Sequence, residues 1–161
     1  MLDPYFGPTA ANYLDAGDEV LLVADPDEVD EAVRVLYRVG IDRFAGWIDP
    51  HGFSAIDEDE FEGAGCEELT PREANRRILT GAAVLDVRSK QEFAKGHIAG
   101  AVHIPFIQLS ARVGELDPRR PVVAYCRSGN RSARACAYLR RCGFTVANLR
   151  GGYWPYVGRG F

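Results

Sequence analysis

The sequence predicts an α/β protein with a parallel sheet, and three observations support that prediction. Short apolar runs of strand length alternate along the chain with segments of helical periodicity. Capping boxes, which start helices, occur at residues 70–73 (TPRE) and 89–92 (SKQE). The apolar run at residues 122–125 leads through a short loop into a helix-like segment. Strands that alternate with helices in this way are typical of parallel sheets with helical layers.

The first half of the chain predicts a strand, a helix and a second strand. Residues 19–24 (EVLLVA) are typical of a buried strand. We expect Asp25 to cap the following helix, with Pro26 in its first turn. This amphipathic helix is predicted to continue to about Val39. Residues 43–48 (RFAGWI) predict the second strand.

An acidic segment separates the two halves. Residues 57–65 (DEDEFEGAG) contain glycine and show no periodicity, so they predict a linker. We therefore predict two domains, residues 1–65 with the linker included and residues 66–161.

The second half continues the alternation of strands and helices. Strands are predicted at residues 82–87, 101–104, 122–125 and 146–149. Helices are predicted at the two capping boxes, at residues 107–116 and directly after the 122–125 strand. Ligands of parallel sheets bind beyond the carboxyl ends of the strands, so we expect the site where the 122–125 strand ends.

The loop at residues 126–132 (CRSGNRS) contains the most distinctive chemistry of the chain. Its position between a buried strand and a helix puts Cys126 at the helix N-terminus. Unpaired backbone N–H groups and the helix dipole favour an anion there and lower the pKa of a thiol. Arg127 and Arg131 add positive charge beside it. The loop therefore predicts an anion-binding cradle with a nucleophilic thiolate.

Charge is distributed unevenly along the chain. Residues 1–69 carry 18 acidic residues and 3 arginines, a net charge of −15. Residues 112–150, which surround the cysteine loop, carry 9 arginines and 2 acidic residues, a net charge of +7. This basic region suits a small anionic substrate, and a solvated face that pairs with the acidic half is the alternative interpretation. We expect no nucleic-acid binding, because the acidic half would repel phosphate.

Several other functions are not expected. The sequence has no run of 18 apolar residues, which predicts no membrane span. Its N-terminus lacks the basic start and apolar core of a signal peptide, which predicts a cytoplasmic location. Cys136 and Cys142 are predicted to be small core residues. His51, His97 and His103 lack metal-ligand spacing, so we predict neither a metal nor a cofactor.

A faint internal repeat links the two halves. Aligning Gly40 with Gly143 pairs Leu36 with Leu139, and a Val-Ala pair occurs in the strand before each helix. The first copy is three residues shorter between strand and helix and holds DPD in place of the cysteine loop. The repeat predicts that the first half is a partial, degenerate α/β unit without a reactive loop. A chance similarity of two strand–helix units is the alternative.

With these residues established, residues 68–161 resemble the rhodanese (sulfurtransferase) family. The matching segments are Leu85-Asp86-Val87-Arg88, Glu92-Phe93, Gly96-His97-Ile98-Ala99-Gly100-Ala101, His103-Ile104-Pro105, the Cys126 loop and Gly151-Gly152. Residues 1–62 resemble the degenerate repeat of bacterial proteins in which a metallo-β-lactamase-type hydrolase precedes tandem rhodanese domains. The resemblance implies a parallel five-stranded sheet flanked by helices, with the cysteine loop as active site.

The resemblance also implies a reaction. Cys126 would take a sulfane sulfur from thiosulfate or a related persulfide donor and pass it to a thiol or cyanide-type acceptor. The predicted substrate-binding loop consists of Arg127, Ser128, Gly129, Asn130, Arg131 and Ser132. Both arginines would bind the anionic donor, with surface ion pairs as the alternative, and Gly129 would supply backbone freedom. Helix capping is the alternative role for Ser132. Asp86 and Arg88 match a strand-end pair that supports the loops.

Two other functions compete with this one. Cysteine phosphatases and arsenate reductases need five residues between cysteine and arginine, whereas four separate Cys126 from Arg131. The smaller cradle suits a sulfur atom better than a phosphoryl group. The second competitor is a non-catalytic binding or regulatory module. An exposed half-sheet in the first half would favour a homodimer, and a separate hydrolase partner is a further expectation from the resemblance.

Overall fold

The computed structural model describes residue 4 and residues 6–53 and 66–158. The chain divides into two compact units, Met1–Glu62 and Gly63–Phe161. The predicted linker at residues 57–65 lies outside the described residues. The predicted domain boundary between residues 65 and 66 therefore stays a prediction.

The first unit contains a two-stranded parallel sheet and short helices, of which α1 and α2 contribute to the same hydrophobic core as β1. Its elements are α1 (Phe6–Tyr13), β1 (Val20–Val23), α2 (Val29–Arg38), β2 (Phe44–Ile48) and α3 (Pro50–Phe53). Ala32 and Leu36 lie four residues apart on the inner face of α2 and are buried with Leu22 and Ile41. The opposite side of β1 is open, since Leu21 and Val23 are each 51% exposed.

Two features of this unit differ from the prediction. Helix α1 was not predicted, and the predicted helix start at Asp25 is wrong. The backbone N–H of Glu28 donates to the carbonyl oxygen of Asp25 at 2.9 Å, which closes a turn. Helix α2 therefore begins one turn later, at Val29. Proline and aspartate favour a turn as readily as a helix start, and the turn is the conformation found here.

The second unit contains a five-stranded parallel sheet in the order β3-β7-β6-β4-β5. Its elements are β3 (Glu67–Leu69), α4 (Pro71–Leu79), β4 (Ala83–Asp86), α5 (Lys90–Ala94), β5 (Val102–His103), α6 (Leu109–Arg112), β6 (Val122–Tyr125), α7 (Asn130–Arg141), β7 (Val146–Leu149) and α8 (Tyr153–Val157). The predicted α/β class with a parallel five-stranded sheet flanked by helices is confirmed.

Strand β6 lies at the centre of this sheet, and all four of its residues are buried. Its neighbours are β4 and β7, so its last residue, Tyr125, is level with Asp86 at the end of β4. Continuous burial is typical of a parallel strand covered by helices on both faces. The register brings the chain after Tyr125 and the chain after Asp86 to the same edge of the sheet.

Both predicted capping boxes are present. The backbone N–H of Glu73 donates to Thr70 Oγ1, and the N–H of Thr70 donates to Glu73 at 2.8 Å. Ser89 and Glu92 make the equivalent pair at the start of α5, with bonds of 3.0 and 3.2 Å. These pairs satisfy donors that a helix start would otherwise leave unpaired.

Other predictions for the second unit need correction. Strand β3 was not predicted, because Glu67 and Glu68 give it no apolar pattern. The helix predicted at residues 107–116 is broken into a 3₁₀ turn, the short α6 and a second 3₁₀ turn. Gly114 lies in the last turn, where glycine disfavours a continuous helix. Cys142, predicted as a core residue, is exposed at the end of α7, whereas Cys136 is buried as predicted.

Candidate active site

The thiol of Cys126 lies in a buried cradle at the end of β6. The residue is 1% exposed. The backbone N–H of Gly129 points at Cys126 Sγ at 3.2 Å, and the hydroxyl of Ser132 lies 3.4 Å from the same sulfur. Helix α7 begins at Asn130, so the positive end of its dipole faces the sulfur. Ser128 is exposed in the same loop.

Hydrogen bonding lowers the pKa of Cys126. Burial raises it, but bonds from the Ser132 hydroxyl and from the backbone N–H groups of Ser132, Ser128 and Gly129 outweigh burial. The sequence predicted a low pKa from the helix N-terminus and from two arginines. The structure shows that backbone donors and one serine hydroxyl are the main cause.

Gly129 shapes the cradle through its backbone. It is the N-cap of α7 with a φ of 101°, a conformation that favours glycine. Ser132 therefore does not cap the helix, and its hydroxyl instead lies 3.0 Å from the carbonyl oxygen of Gly129. Asn148 in β7 donates to the same oxygen at 3.2 Å and to Glu68 at 2.6 Å. Sequence reasoning missed Asn148, although a polar residue in an apolar strand was a usable signal.

Gly152 allows a second loop to approach the cradle. The N–H of Tyr153 donates to the carbonyl oxygen of Cys126 at 2.8 Å. Gly152 has a φ of 72°, and a Cβ there would lie 2.5 Å from that oxygen and 2.6 Å from the carbonyl carbon of Arg127. The sequence singles out Gly151-Gly152 as a matching segment. It does not predict the contact with the cradle, because that contact depends on how the chain folds.

Arg131 forms an ion pair with Glu92 instead of pointing freely into the cradle. Its two terminal nitrogens lie 2.9 and 2.8 Å from the carboxylate oxygens of Glu92. The bond from Arg131 lowers the pKa of Glu92 to about 2. Because Glu92 also caps α5, this pair connects the start of α5 with the start of α7. For Arg131, the sequence analysis gave donor binding and an ion pair as alternatives, and the structure shows the ion pair.

Asp86 and Arg88 form a buried ion pair behind the loops. Arg88 Nη2 lies 2.6 Å from Asp86 Oδ2 and 2.7 Å from the carbonyl oxygen of Gly96. The guanidinium carbon of Arg88 lies 4.1 Å from the ring centroid of Tyr153. Burial and a hydrogen bond to Asp86 raise the pKa of Tyr125. The pair thus ties the end of β4 to the Tyr153 segment that contacts the cradle.

A cavity of about 260 Å³ adjoins the cradle. Its lining consists of Arg88, Glu92, Lys95, Gly96, Arg127, Tyr153 and Trp154. Arg127 is exposed and, with Lys95, adds two cationic side chains to the rim of the cavity. Lys95 was missed by sequence reasoning because 31 positions separate it from Cys126 and no local pattern links them. The indole of Trp154 is largely exposed beside the same cavity.

The first unit holds a different cluster. Asp25 follows β1 and Asp49 follows β2, and their ligand atoms lie within 4.8 Å of each other and of His51. The spacing of these residues did not predict this proximity, because it depends on the pairing of two strands. Exposed acidic groups are common without an ion, and the absence of a metal stays a prediction. Among the described residues, no helix is sufficiently long and apolar to cross a bilayer.

Comparison with known proteins places these features in a family. Residues 70–157 match the model of the rhodanese-like domain. The chain is 43% identical over 79 residues to the uncharacterized protein YqhL of Bacillus subtilis, and the match covers 48% of this chain and 63% of that protein. It is 42% identical to a sulfurtransferase of Allochromatium vinosum over 58% of this chain and 90% of that protein. It is 36% identical to the thiosulfate sulfurtransferase GlpE of Ectopseudomonas mendocina over 54% and 81% of the two chains.

Solved structures agree with this assignment. A rhodanese-related protein from Thermoplasma volcanium superposes with a TM-score of 0.56 at 27% identity, covering 59% of this chain and 94% of its own. The human single-domain sulfurtransferase TSTD1 superposes with a TM-score of 0.52 at 26% identity, covering 60% of this chain and 100% of its own. Both are similar to about three fifths of the present chain.

Proposed function

This chain belongs to the rhodanese-like domain family, and on that premise we propose that it is a sulfurtransferase in which Cys126 carries the transferred sulfur as a persulfide. The observation that carries the proposal is that hydrogen-bond donors surround the buried Sγ of Cys126. Hydrogen bonds from Gly129 N–H and the Ser132 hydroxyl favour the thiolate, which is the nucleophilic form.

The proposed first step is attack of the Cys126 thiolate on the outer sulfur of thiosulfate. A sulfur–sulfur bond forms to Cys126, the bond within thiosulfate breaks, and sulfite leaves with the electron pair. The persulfide so formed bears a negative charge on its terminal sulfur. Backbone N–H groups at the start of α7 are suited to stabilise that charge, as they do for the thiolate.

The second step returns the thiolate. An acceptor such as cyanide or a thiolate attacks the terminal sulfur, and the bond to Cys126 breaks with its electrons returning to Cys126. No proton transfer is needed when both partners are anions. We therefore assign His97 no part in the reaction. Its ring stacks on Phe93 at a centroid distance of 3.8 Å, which is a packing role.

The cationic side chains at the cavity beside the cradle favour a sulfur donor that is an anion. Arg127 is an exposed cation in the loop, and Lys95 lies at the same cavity. We assign donor attraction chiefly to Arg127, because Arg131 is already paired with Glu92. Thiosulfate and thiol persulfides that carry carboxylates both have the required charge.

The proposal is tested by the intact mass of the protein after incubation with thiosulfate. We expect the wild type to gain one sulfur atom and to release it as thiocyanate when cyanide is added. The Cys126→Ser variant is expected to gain none, while Cys142→Ser, which changes an exposed thiol, should load like the wild type. Equal loading of Cys126→Ser and wild type would overturn the proposal.

A phosphatase activity is not expected. Four residues separate Cys126 from Arg131, and Arg131 is engaged by Glu92 at 2.8 Å. Arg131 is therefore not a free guanidinium of the kind that a phosphoryl group would need at the far side of the cradle. Turnover of an aryl phosphate that depends on Cys126 would contradict this expectation.

A further inference from the structure

Trp154 presents an exposed apolar side chain at the candidate active site. It lines the cavity beside the cradle, yet 63% of the residue is exposed. Covering apolar surface is favourable, and exposed apolar surface at a cavity commonly marks the place where a ligand binds. The other tryptophan of the chain, Trp47, does not line this cavity. Trp154 is therefore the tryptophan that is placed to contact a substrate.

Contacts through Tyr153 hold the indole of Trp154 in a fixed position relative to the reactive cysteine. The backbone N–H of Tyr153 donates to the carbonyl oxygen of Cys126 at 2.8 Å. The guanidinium carbon of Arg88 lies 4.1 Å from the centroid of the Tyr153 ring. The rings of Tyr153 and Trp154 meet edge to face, with their centroids 5.5 Å apart, which is a favourable geometry for an aromatic pair. The indole is thus a preorganised contact surface beside Cys126.

The charged side chains of the cavity favour a ligand with negative charge. Arg88 and Glu92 are each engaged in an ion pair within the protein. The side chains of Lys95 and Arg127 have no ion pair or hydrogen bond within the part of the chain that the structure describes. Two such cations beside an exposed indole match a ligand that combines carboxylates with an apolar body.

The size of the cavity distinguishes two classes of sulfur donor. Its volume of about 260 Å³ is close to the lower end of the range of about 300–1,000 Å³ that small organic ligands occupy. Thiosulfate is a compact dianion without an apolar part, so it interacts with the cations and makes no apolar contact with the indole. The persulfide of an organic thiol can cover the indole with its apolar part while its carboxylates bind the cations.

We propose that the preferred sulfur donor is the persulfide of a thiol that carries carboxylates, and that Trp154 determines this preference. The inference rests on the proposed sulfur transfer through Cys126. The Cys126 thiolate attacks the terminal sulfur of the protonated persulfide, a sulfur–sulfur bond forms to Cys126, and the sulfur–sulfur bond of the donor breaks. The proton stays on the transferred sulfur, and the organic thiolate leaves with the electron pair. The step needs no oxidant or reductant.

The experiment compares the rates at which glutathione persulfide and thiosulfate load Cys126 in the full-length chain. The persulfide is trapped with iodoacetamide, and loading is measured from the mass of the peptide that contains Cys126. We expect the wild type to have the higher second-order rate constant with glutathione persulfide. Trp154→Ala should lower the ratio of the two rate constants about tenfold, which corresponds to about 1.4 kcal/mol. Both constants scale with the amount of active protein, so partial unfolding of the variant leaves their ratio unchanged.

Matched variants make the result specific. Trp47→Ala removes the exposed indole of the first unit and should keep the wild-type ratio. Trp154→Phe retains an aromatic face and should keep most of it. An unchanged ratio in Trp154→Ala, or loading of the wild type from thiosulfate alone, would overturn the inference and leave the proposed sulfur transfer in place. Loading from neither donor would overturn both.

Discussion

At the scale of single residues, the acidity of Cys126 depends on donors that touch its sulfur. The Ser132 hydroxyl is the side-chain donor among them, at 3.4 Å, and the others are backbone N–H groups. Charged side chains of the loop act at longer range, and Arg131 is neutralised by Glu92. The reactivity of the thiol should therefore respond more to Ser132 than to its exposed neighbours.

We expect Ser132→Ala to raise the pKa of Cys126. A hydrogen bond to a charged sulfur contributes about 1.5 kcal/mol, and that favours the thiolate only while the donor is present. The rate of alkylation by iodoacetamide, measured against pH, should therefore rise at a higher pH than in the wild type.

Ser128→Ala serves as the control, because the Ser128 side chain is exposed and its contribution comes from the backbone. Its alkylation profile should match the wild type. An unchanged profile in Ser132→Ala would mean that the backbone donors alone determine the pKa of Cys126.

Gly152→Ala is expected to damage the cradle beyond its effect on backbone strain. An alanine with positive φ costs about 1 kcal/mol, and at Gly152 its Cβ would also lie 2.5 Å from the Cys126 carbonyl oxygen. Unfolding in urea should show a loss of stability, and sulfur loading of Cys126 should slow.

Gly143→Ala is the matched control. Gly143 has a φ of 84°, and a Cβ added there would meet no described atom within 4 Å beyond its own chain neighbours. This variant should lose about 1 kcal/mol of stability and keep the loading rate of the wild type. Equal loading rates in both alanine variants would show that the Gly152 contact does not position Cys126.

At the scale of elements, the ion pair of Arg131 and Glu92 connects α5 with α7. The side chains are 35% and 29% exposed, so the pair is partly screened by solvent. Glu92 also completes the capping box of α5. One carboxylate thus stabilises the start of one helix and holds the start of the other.

We expect this carboxylate to contribute to acid sensitivity. The pKa of Glu92 is about 2 in the folded chain, below its ordinary value of 4.5. Its stabilising contribution is present above pH 4.5 and is lost as the pH falls toward 2. Glu92→Gln should therefore cost about 1 kcal/mol at neutral pH and less at low pH.

The free energy of unfolding of Glu92→Gln and wild type, measured in urea between pH 7 and pH 3, tests this. The difference between the two proteins should shrink as the pH falls. Glu73→Gln is a useful comparison, because Glu73 completes the other capping box without an arginine partner from a distant helix among the described residues. A difference for Glu92→Gln that is constant with pH would contradict the expectation.

At the scale of the whole molecule, the cysteine cradle and its cavity lie entirely within the second unit. The first unit carries a two-stranded sheet with the exposed apolar side chains of Leu21, Val23 and Trp47. After β1 the chain makes a turn at Asp25 and then enters α2, whereas after β6 it forms the cysteine loop and then enters α7. That the two halves are repeats of one unit stays a prediction. The cysteine loop therefore lies in the second unit, whereas most of the acidic residues lie in the first 69 residues of the chain.

We expect residues 66–161 alone to load sulfur at Cys126 at a rate within a few fold of the full chain. Each residue of the cradle and of the adjoining cavity belongs to this segment. Intact mass after thiosulfate treatment, with circular dichroism to confirm folding, gives the measurement. A folded but unloaded fragment would show that the first unit contributes to the reaction.

Local sequence was sufficient to predict the strands at 82–87, 122–125 and 146–149 to within two residues, both capping boxes and the position of Cys126 before a helix. Each of these depends on residues that are neighbours in the chain, through hydrophobic periodicity or hydrogen bonds three residues apart. The α/β class followed from their alternation. Strand β3 could not be predicted, because two of its three residues are glutamates and its order comes from pairing with the distant β7.

Folding determined which of the predicted site residues meet the sulfur. Arg131 and Ser132 are adjacent in the chain, yet Arg131 pairs with Glu92 and Ser132 contacts Cys126. Asn148, Gly152 and Lys95 join the site from other elements. These contacts arise from strand register and helix packing, which bring distant residues together and leave no periodic signal in the local sequence.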